Sequence, residues 1–161
     1  MKQRIFTIIV AMTAFAAVIS AQVPDLTLRD INGKQVNIQK LCNSGKPVII
    51  SFFATWCKPC LRELNAIADV YDDWKEQTGV QLIAVSIDRA QDIEKVKPLA
   101  DGNDWDYIVL LDADNELKRL MQVQTVPHLF IINGKGKIVE QRSGYTDGEE
   151  KQLLQKLKAL K

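Results

Sequence analysis

The sequence predicts an α/β domain with a mixed central β-sheet flanked by helices. Two stretches, Val48–Ala54 and Val80–Ile87, are apolar nearly throughout, as strands covered on both faces are. The segment between them repeats its apolar residues at helical spacing, and a strand–helix–strand order implies parallel pairing through a right-handed crossover. Turn signals near each end, Asp30-Ile31-Asn32-Gly33-Lys34 and Asn133-Gly134-Lys135-Gly136, mark hairpins that pair antiparallel.

The opening residues stand apart. Lys2 and Arg4 precede an apolar run from Ile5 to Ile19, broken only by Thr7 and Thr13, and Ser20-Ala21 supplies small residues for a cut. This is the layout of a secretory signal peptide over residues 1–21, which leaves residues 22–161 as the mature domain. The expected location is periplasmic or otherwise extracytoplasmic. An uncleaved membrane anchor is the alternative, but the run falls short of the roughly 18 apolar residues that commonly span a bilayer. Cleavage removes two of 21 basic residues and none of 20 acidic ones, taking the formal net charge from +1 to −1. A near-neutral domain gives no electrostatic case for nucleic acid. At 47% apolar and 25% charged, the chain is neither disordered nor fibrous.

The mature part opens on a β-hairpin, with Leu26-Thr27-Leu28 and Val36-Asn37-Ile38 alternating around the Asn-Gly turn. Residues 39–47 form a short helical turn or loop. After the strand Val48–Ala54, Leu61, Leu64, Ile67, Ala68, Tyr71 and Trp74 share one face of a long helix that Gly79 stops. Residues 90–101 form a polar helix that Pro98 shortens or kinks. Tyr107–Leu111 is a third parallel strand or an extended approach, Asn115–Met121 a short helix, and His128–Ile132 a strand paired with Lys137–Arg142. Thr146-Asp147-Gly148-Glu149 reads as a capping box for a closing amphipathic helix, Glu150–Leu160.

The chemistry concentrates in Trp56-Cys57-Lys58-Pro59-Cys60. Two thiols three positions apart lie at a strand-to-helix junction, where the first-turn N–H groups are unpartnered and carry partial positive charge. That field and the neighbouring Lys58 favour Cys57 as thiolate, the nucleophilic form. Cys60 is close enough to close a disulfide, but so small a loop gains little entropy, which favours redox chemistry over a structural staple. The third cysteine, Cys42, is expected to be a buried free thiol. Cys42, Cys57, Cys60 and His128 together would number four zinc ligands, but Pro59 inside the motif and the helix after it fit a dithiol better, so no metal is expected.

Phe53-Ala54-Thr55-Trp56-Cys57-Lys58-Pro59-Cys60 resembles the active site of the thioredoxin fold, and Thr125-Val126-Pro127 matches that family's cis-proline loop. The chain is identified as a member of the thioredoxin superfamily. From about Val23 to Lys161 it is similar to the extracytoplasmic TlpA/ResA-like thiol–disulfide oxidoreductases. The resemblance implies Cys57 as attacking thiolate and Cys60 as resolving thiol, with Pro59 and His128 joining Lys58 in tuning the pair. It places Glu63, an acid three residues after the second cysteine, as the candidate acid/base. Trp56, Val126 and Pro127 would form the substrate surface, with a cis Pro127 turning the Val126 backbone toward Cys57. Three positions depart from the pattern. Ser51 stands where many thioredoxins carry a buried Asp. Leu64-Asn65 stand where the branch often has a helix-kinking proline, so a straighter helix is expected. His128 stands where Thr is usual.

The expected function is that of an exported disulfide reductase, a monomer without cofactor. Its substrates would be disulfides of exported proteins, cytochrome c precursors among them, and a membrane or periplasmic donor would re-reduce it. A peroxiredoxin-type peroxide reductase is the first alternative, but it needs Pro-x-x-x-Thr-x-x-Cys. Ile50–Trp56 lacks the proline, and Thr55 is too close to Cys57. A non-catalytic binding module is the second, and the intact dithiol argues against it.

Overall fold

The computed structural model describes residues 22–160, so the segment read as a signal peptide lies outside the described residues. The hairpin forms as β1 (Thr27–Asp30) and β2 (Gln35–Asn37), antiparallel. Its turn is tied by Asp30, whose Oδ1 accepts from the backbone N–H of Asn32 and of Lys34, both at 2.8 Å. Gly33 takes φ +84°, which a residue without Cβ adopts freely. A short helix, α1 (Ile38–Cys42), is capped by the Asn37 side chain and leads into β3 (Val48–Phe53).

β3 and β4 (Gln81–Ser86) pair in parallel through residue partners Val48–Gln81 to Phe53–Ser86, and β5 (Ile108–Leu111) continues the parallel set. β6 (His128–Ile132) runs antiparallel to β3 and β7 (Ile138–Ser143) antiparallel to β6. The full order is β2-β1-β5-β4-β3-β6-β7. Every residue of β3 and of β6 is buried, as strands inside a sheet covered on both faces require.

The helix after the cysteines is not one rod. It divides into α2 (Lys58–Ala68) and α3 (Tyr71–Thr78), with Val70 at φ −122°, ψ 3° between them. The expectation of a long, straighter helix is therefore corrected. The apolar spacing Leu64, Ile67, Tyr71, Trp74 runs unbroken across the joint, so periodicity alone could not reveal it. At the joint the Val70 N–H bonds to the Ile67 carbonyl, a tighter turn than the α-helix makes, and the Tyr71 hydroxyl reaches across to accept the Leu82 N–H of β4 at 3.0 Å. Gly79, at φ +71°, ends α3 as expected.

Pro98 falls in the first turn of α4 (Val96–Gly102), where a missing N–H costs least, and the helix starts late rather than kinking. α5 (Glu116–Leu120) follows β5, its Leu117 and Lys118 N–H groups bonded to the Asp112 carboxylate. The capping box does not form: α6 (Glu150–Lys158) begins after Glu149, and no side chain caps it. Glu149 is drawn away to Arg142 instead, at 2.8 Å.

Two apolar layers enclose the sheet. Ile49, Phe53, Ala84, Leu129 and Ile131 face the layer that holds Cys57, Cys60 and the inner sides of α2, α3 and α6. Val48, Ile50, Phe52, Phe130 and Ile132 face the opposite layer, with Cys42 of α1 and Leu117 of α5.

Candidate active site

β3 delivers the dithiol. The strand ends at Phe53, the Cys57 N–H turns back to the Ala54 carbonyl at 3.0 Å, and α2 opens with Cys57 as its N-cap. Cys57 and Cys60 are joined as a disulfide, with Cα atoms 5.3 Å apart. Pro59 occupies the second helical position, where a donor is unneeded and φ is already helical. Cys57 is 5% exposed and Cys60 is sealed, while Lys58 between them is open to solvent. An incoming disulfide can therefore meet Cys57 before Cys60.

Trp56 does not pack into the core. It is 69% exposed and borders a groove of about 720 Å³ with Ile87, Thr125 and Val126. The Val126-Pro127 peptide bond is cis.

The loop before the cysteines is held by a residue that the sequence reading missed. Asp88, just beyond β4, is buried. Its Oδ2 accepts the Thr55 N–H at 2.9 Å and the Ser86 hydroxyl at 2.8 Å, and its Oδ1 accepts the Thr55 hydroxyl at 2.7 Å. The Ser86 hydroxyl oxygen in turn accepts the Asp88 N–H at 3.1 Å.

Glu63 lies one turn beyond Cys60 on the buried side of α2, fully inaccessible. Ser51, at the position where an Asp was missed, donates its hydroxyl to Glu63 Oε1 at 2.7 Å. Arg142 of β7 donates from Nη2 to Glu63 Oε2 at 3.2 Å. Burial pushes the Glu63 carboxyl above the usual carboxylate range, against the Ser51 hydrogen bond and the Arg142 charge, which pull it down. The acid absent from β3 is thus supplied from the helix above it.

The structure does not bring His128 to the dithiol, a correction to its expected tuning role. His128 pairs with Phe52, and its ring lies tilted by 38° against that of Phe130, centroids 4.7 Å apart, on the sheet face opposite α2. Alternation along a strand sends residues 128, 130 and 132 to one side and 129 and 131 to the other. Ser143 Oγ lies 2.8 Å from Nδ1 and Gln141 Oε1 3.3 Å from Nε2, which suits a neutral ring protonated at Nε2. Burial lowers its pKa below 6.5. Cys42 shares that far layer, fully buried, its thiol pushed up to about 12 by burial. The four side chains weighed as zinc ligands are therefore divided between the two faces of the sheet.

Fold and dithiol together define the class: a thioredoxin-fold thiol–disulfide oxidoreductase. Residues 19–141 match the model of the AhpC/TSA family, and the chain belongs to that family, on its ResA-like side. The thiol-disulfide oxidoreductase ResA of Bacillus subtilis (strain 168) is 32% identical over 121 residues, which are 75% of this chain and 65% of that protein. ResA of Bacillus anthracis is 32% identical over 132 residues, 82% of this chain and 73% of the relative. The chain thus spans about two thirds to three quarters of the length of these relatives. The solution structure of a thioredoxin-like protein from Porphyromonas gingivalis is 57% identical, covers 88% of this chain and 92% of that one, and has a TM-score of 0.75.

Proposed function

We propose that this protein is an exported disulfide reductase acting on cysteine pairs of other exported proteins, cytochrome c precursors among the candidates. One observation carries the reading: Cys57 is reachable at the start of α2 while its partner Cys60 is sealed one turn deeper. That difference orders the two chemical steps. Cys57, as thiolate, attacks a substrate sulfur and forms a mixed disulfide. Cys60 then attacks the Cys57 sulfur, closes the internal disulfide and releases the substrate as dithiol. The electrons reside in the thiols, so no cofactor enters. A membrane or periplasmic donor restores the dithiol.

The roles of the surrounding residues follow. Trp56, next to Cys57 in sequence, and Val126 border one groove and receive the substrate chain, and Pro127 directs the Val126 backbone through its cis bond. Pro59 and Lys58 favour the Cys57 thiolate, the first by starting the helix and the second by charge. Glu63 accepts the Cys60 proton when the mixed disulfide is resolved. Residues 1–21 direct export and are removed, leaving a monomeric domain over residues 22–161. Among the described residues, no helix is long and apolar enough to cross a membrane.

Equilibration with glutathione buffers tests the direction of electron flow. A reductase sits near thioredoxin, about −270 mV, whereas an oxidant sits near −120 mV. A value at the oxidising end overturns the reductase reading. Mass spectrometry of the exported protein tests the leader: the mature chain should begin at Ala21 or Gln22, and an intact Met1 in that fraction contradicts cleavage.

A further inference from the structure

The Glu63 carboxylate has a partner from an element far along the chain. The register of the sheet sets Ser51, Leu129 and Arg142 in one row across β3, β6 and β7. All three side chains rise on the face that α2 covers, and Glu63 comes down over the row. Ser51 and Arg142 then grip one carboxylate oxygen each. The Arg142 guanidinium forks: Nη2 goes to Glu63, and Nη1 goes to Glu149 at the start of α6 at 2.8 Å. Its side chain is 19% exposed, Glu149 is 30% exposed and Glu63 not at all. One cation therefore links a sealed acid to a half-buried one, by a hydrogen bond to Glu63 and by an ion pair alone to the inaccessible Oε2 of Glu149.

We propose that Arg142 is a positioning residue for the disulfide-exchange reaction, holding the Glu63 carboxylate ionised and aimed at Cys60 while Glu149 competes for the same cation. The inference rests on the reading of Glu63 as acceptor of the Cys60 proton. In that step Cys60–SH gives its proton to Glu63, and the Cys60 sulfur bonds to Cys57. The bond between Cys57 and the substrate sulfur breaks, and the substrate thiolate leaves with the electron pair. Glu63 afterwards releases its proton, and the departing thiolate takes one from water. The protein dithiol is oxidised and the substrate disulfide reduced, two electrons each.

An unpaired carboxylate in this position would face burial alone and would hold a proton well into the neutral range. The Ser51 hydroxyl and Arg142 oppose that, and the Glu149 charge acts the other way. The groups that act on Glu63 are Ser51 from β3, Arg142 from β7, Glu149 from the start of α6 and Tyr107 from the approach to β5; Cys60 lies three residues before it among the buried residues of α2. Two of them, Arg142 and Glu149, can be altered without touching the thiols, and their effects have opposite signs.

The test follows resolution alone. The reduced protein is mixed with excess Ellman's reagent, which places thionitrobenzoate on Cys57. Release of the second thionitrobenzoate by Cys60 is then timed by stopped flow across pH. Arg142→Met should move the midpoint of this profile up by about one unit, slowing release about tenfold below it. Arg142→Lys should restore most of the rate. Glu149→Gln, which removes the charge of a half-buried side chain and keeps its shape, should move the midpoint down. The first attack on Cys57 should change less than twofold in all three. Wild-type profiles for both Arg142→Met and Glu149→Gln overturn the proposal. Should Arg142→Met not fold, a Glu149→Gln midpoint that stays put or moves up is enough to refute it. Glu63→Gln separates the two readings. If it too leaves the profile unchanged, Glu63 handles no proton. If it alone changes the profile, Glu63 keeps its role and Arg142 loses the one assigned to it.

Discussion

Replacing Asp88 by Ala should loosen the loop that carries the dithiol, and the size of the effect follows from its bonds. The buried carboxylate accepts three hydrogen bonds, from the Thr55 N–H, the Thr55 hydroxyl and the Ser86 hydroxyl. Hydrogen bonds to a charged group contribute about 1.5–3 kcal/mol each, and losses within one network are not additive. Thr55 is only half-buried, so water can replace part of what it loses, whereas Ser86 is sealed. A net loss of about 3–4 kcal/mol is expected, within the 5–15 kcal/mol stability of ordinary domains. With a urea slope of about 2 kcal/mol/M, the unfolding midpoint should fall by about 1.5–2 M. Asp88→Asn keeps one acceptor oxygen and should lose about half as much. The glutathione equilibrium of the variant should shift too, because Thr55 sets where Trp56 and Cys57 sit. A loss below about 1 kcal/mol for Asp88→Ala would refute the assignment of this network as the anchor of the loop.

Further outcomes follow from burial and charge. Trp56 is largely exposed, so Trp56→Ala should change stability by less than about 0.5 kcal/mol. The same change should cut kcat/KM for a protein disulfide about tenfold, with a small disulfide reagent affected far less. Reduced protein should release two thionitrobenzoate ions from Ellman's reagent when native and a third only in denaturant, because the Cys42 thiol is buried with its pKa pushed up to about 12. His128 has a folded pKa below its ordinary 6.5, so the unfolded chain takes up its proton first as pH falls. Stability should therefore decline as pH drops below 6.5 and level off once the folded ring also titrates. His128→Gln should remove that part of the slope in denaturant titrations at pH 7.5 and 5.5.

Much of the fold was legible because its strands differ so plainly from its helices. Val48–Phe53 and His128–Ile132 are buried on both faces and apolar but for Ser51 and His128, and the hairpin turns carry glycine where positive φ is required. The same uniformity hid the orientation of His128. In a strand buried on both sides, no polar alternation marks which face holds the site. The joint at Val70 was hidden because the apolar repeat continues across it. The dithiol was legible from spacing alone, since its chemistry needs only a strand end and a helix start. Glu63 was found through the family pattern, but its partners were not. Ser51 comes from the strand below, and Arg142 stands 79 residues away. Asp88 was invisible for the same reason, its partner Thr55 lying 33 residues back. Such pairings exist only once the sheet register is set. Glu149 shows the converse: it stands where a capping box would use it, and an arginine brought alongside by β7 takes it instead.

The central claim is that Cys57 attacks and Cys60 resolves. It is tested most directly by exposing Cys60→Ala, reduced, to a protein disulfide that the unaltered protein turns over and mapping the cross-link by mass spectrometry. The account predicts a stable mixed disulfide on Cys57, with turnover abolished and the adduct released by added dithiol. Substrate attached through Cys42, or no adduct under conditions where the unaltered protein turns over, would contradict it.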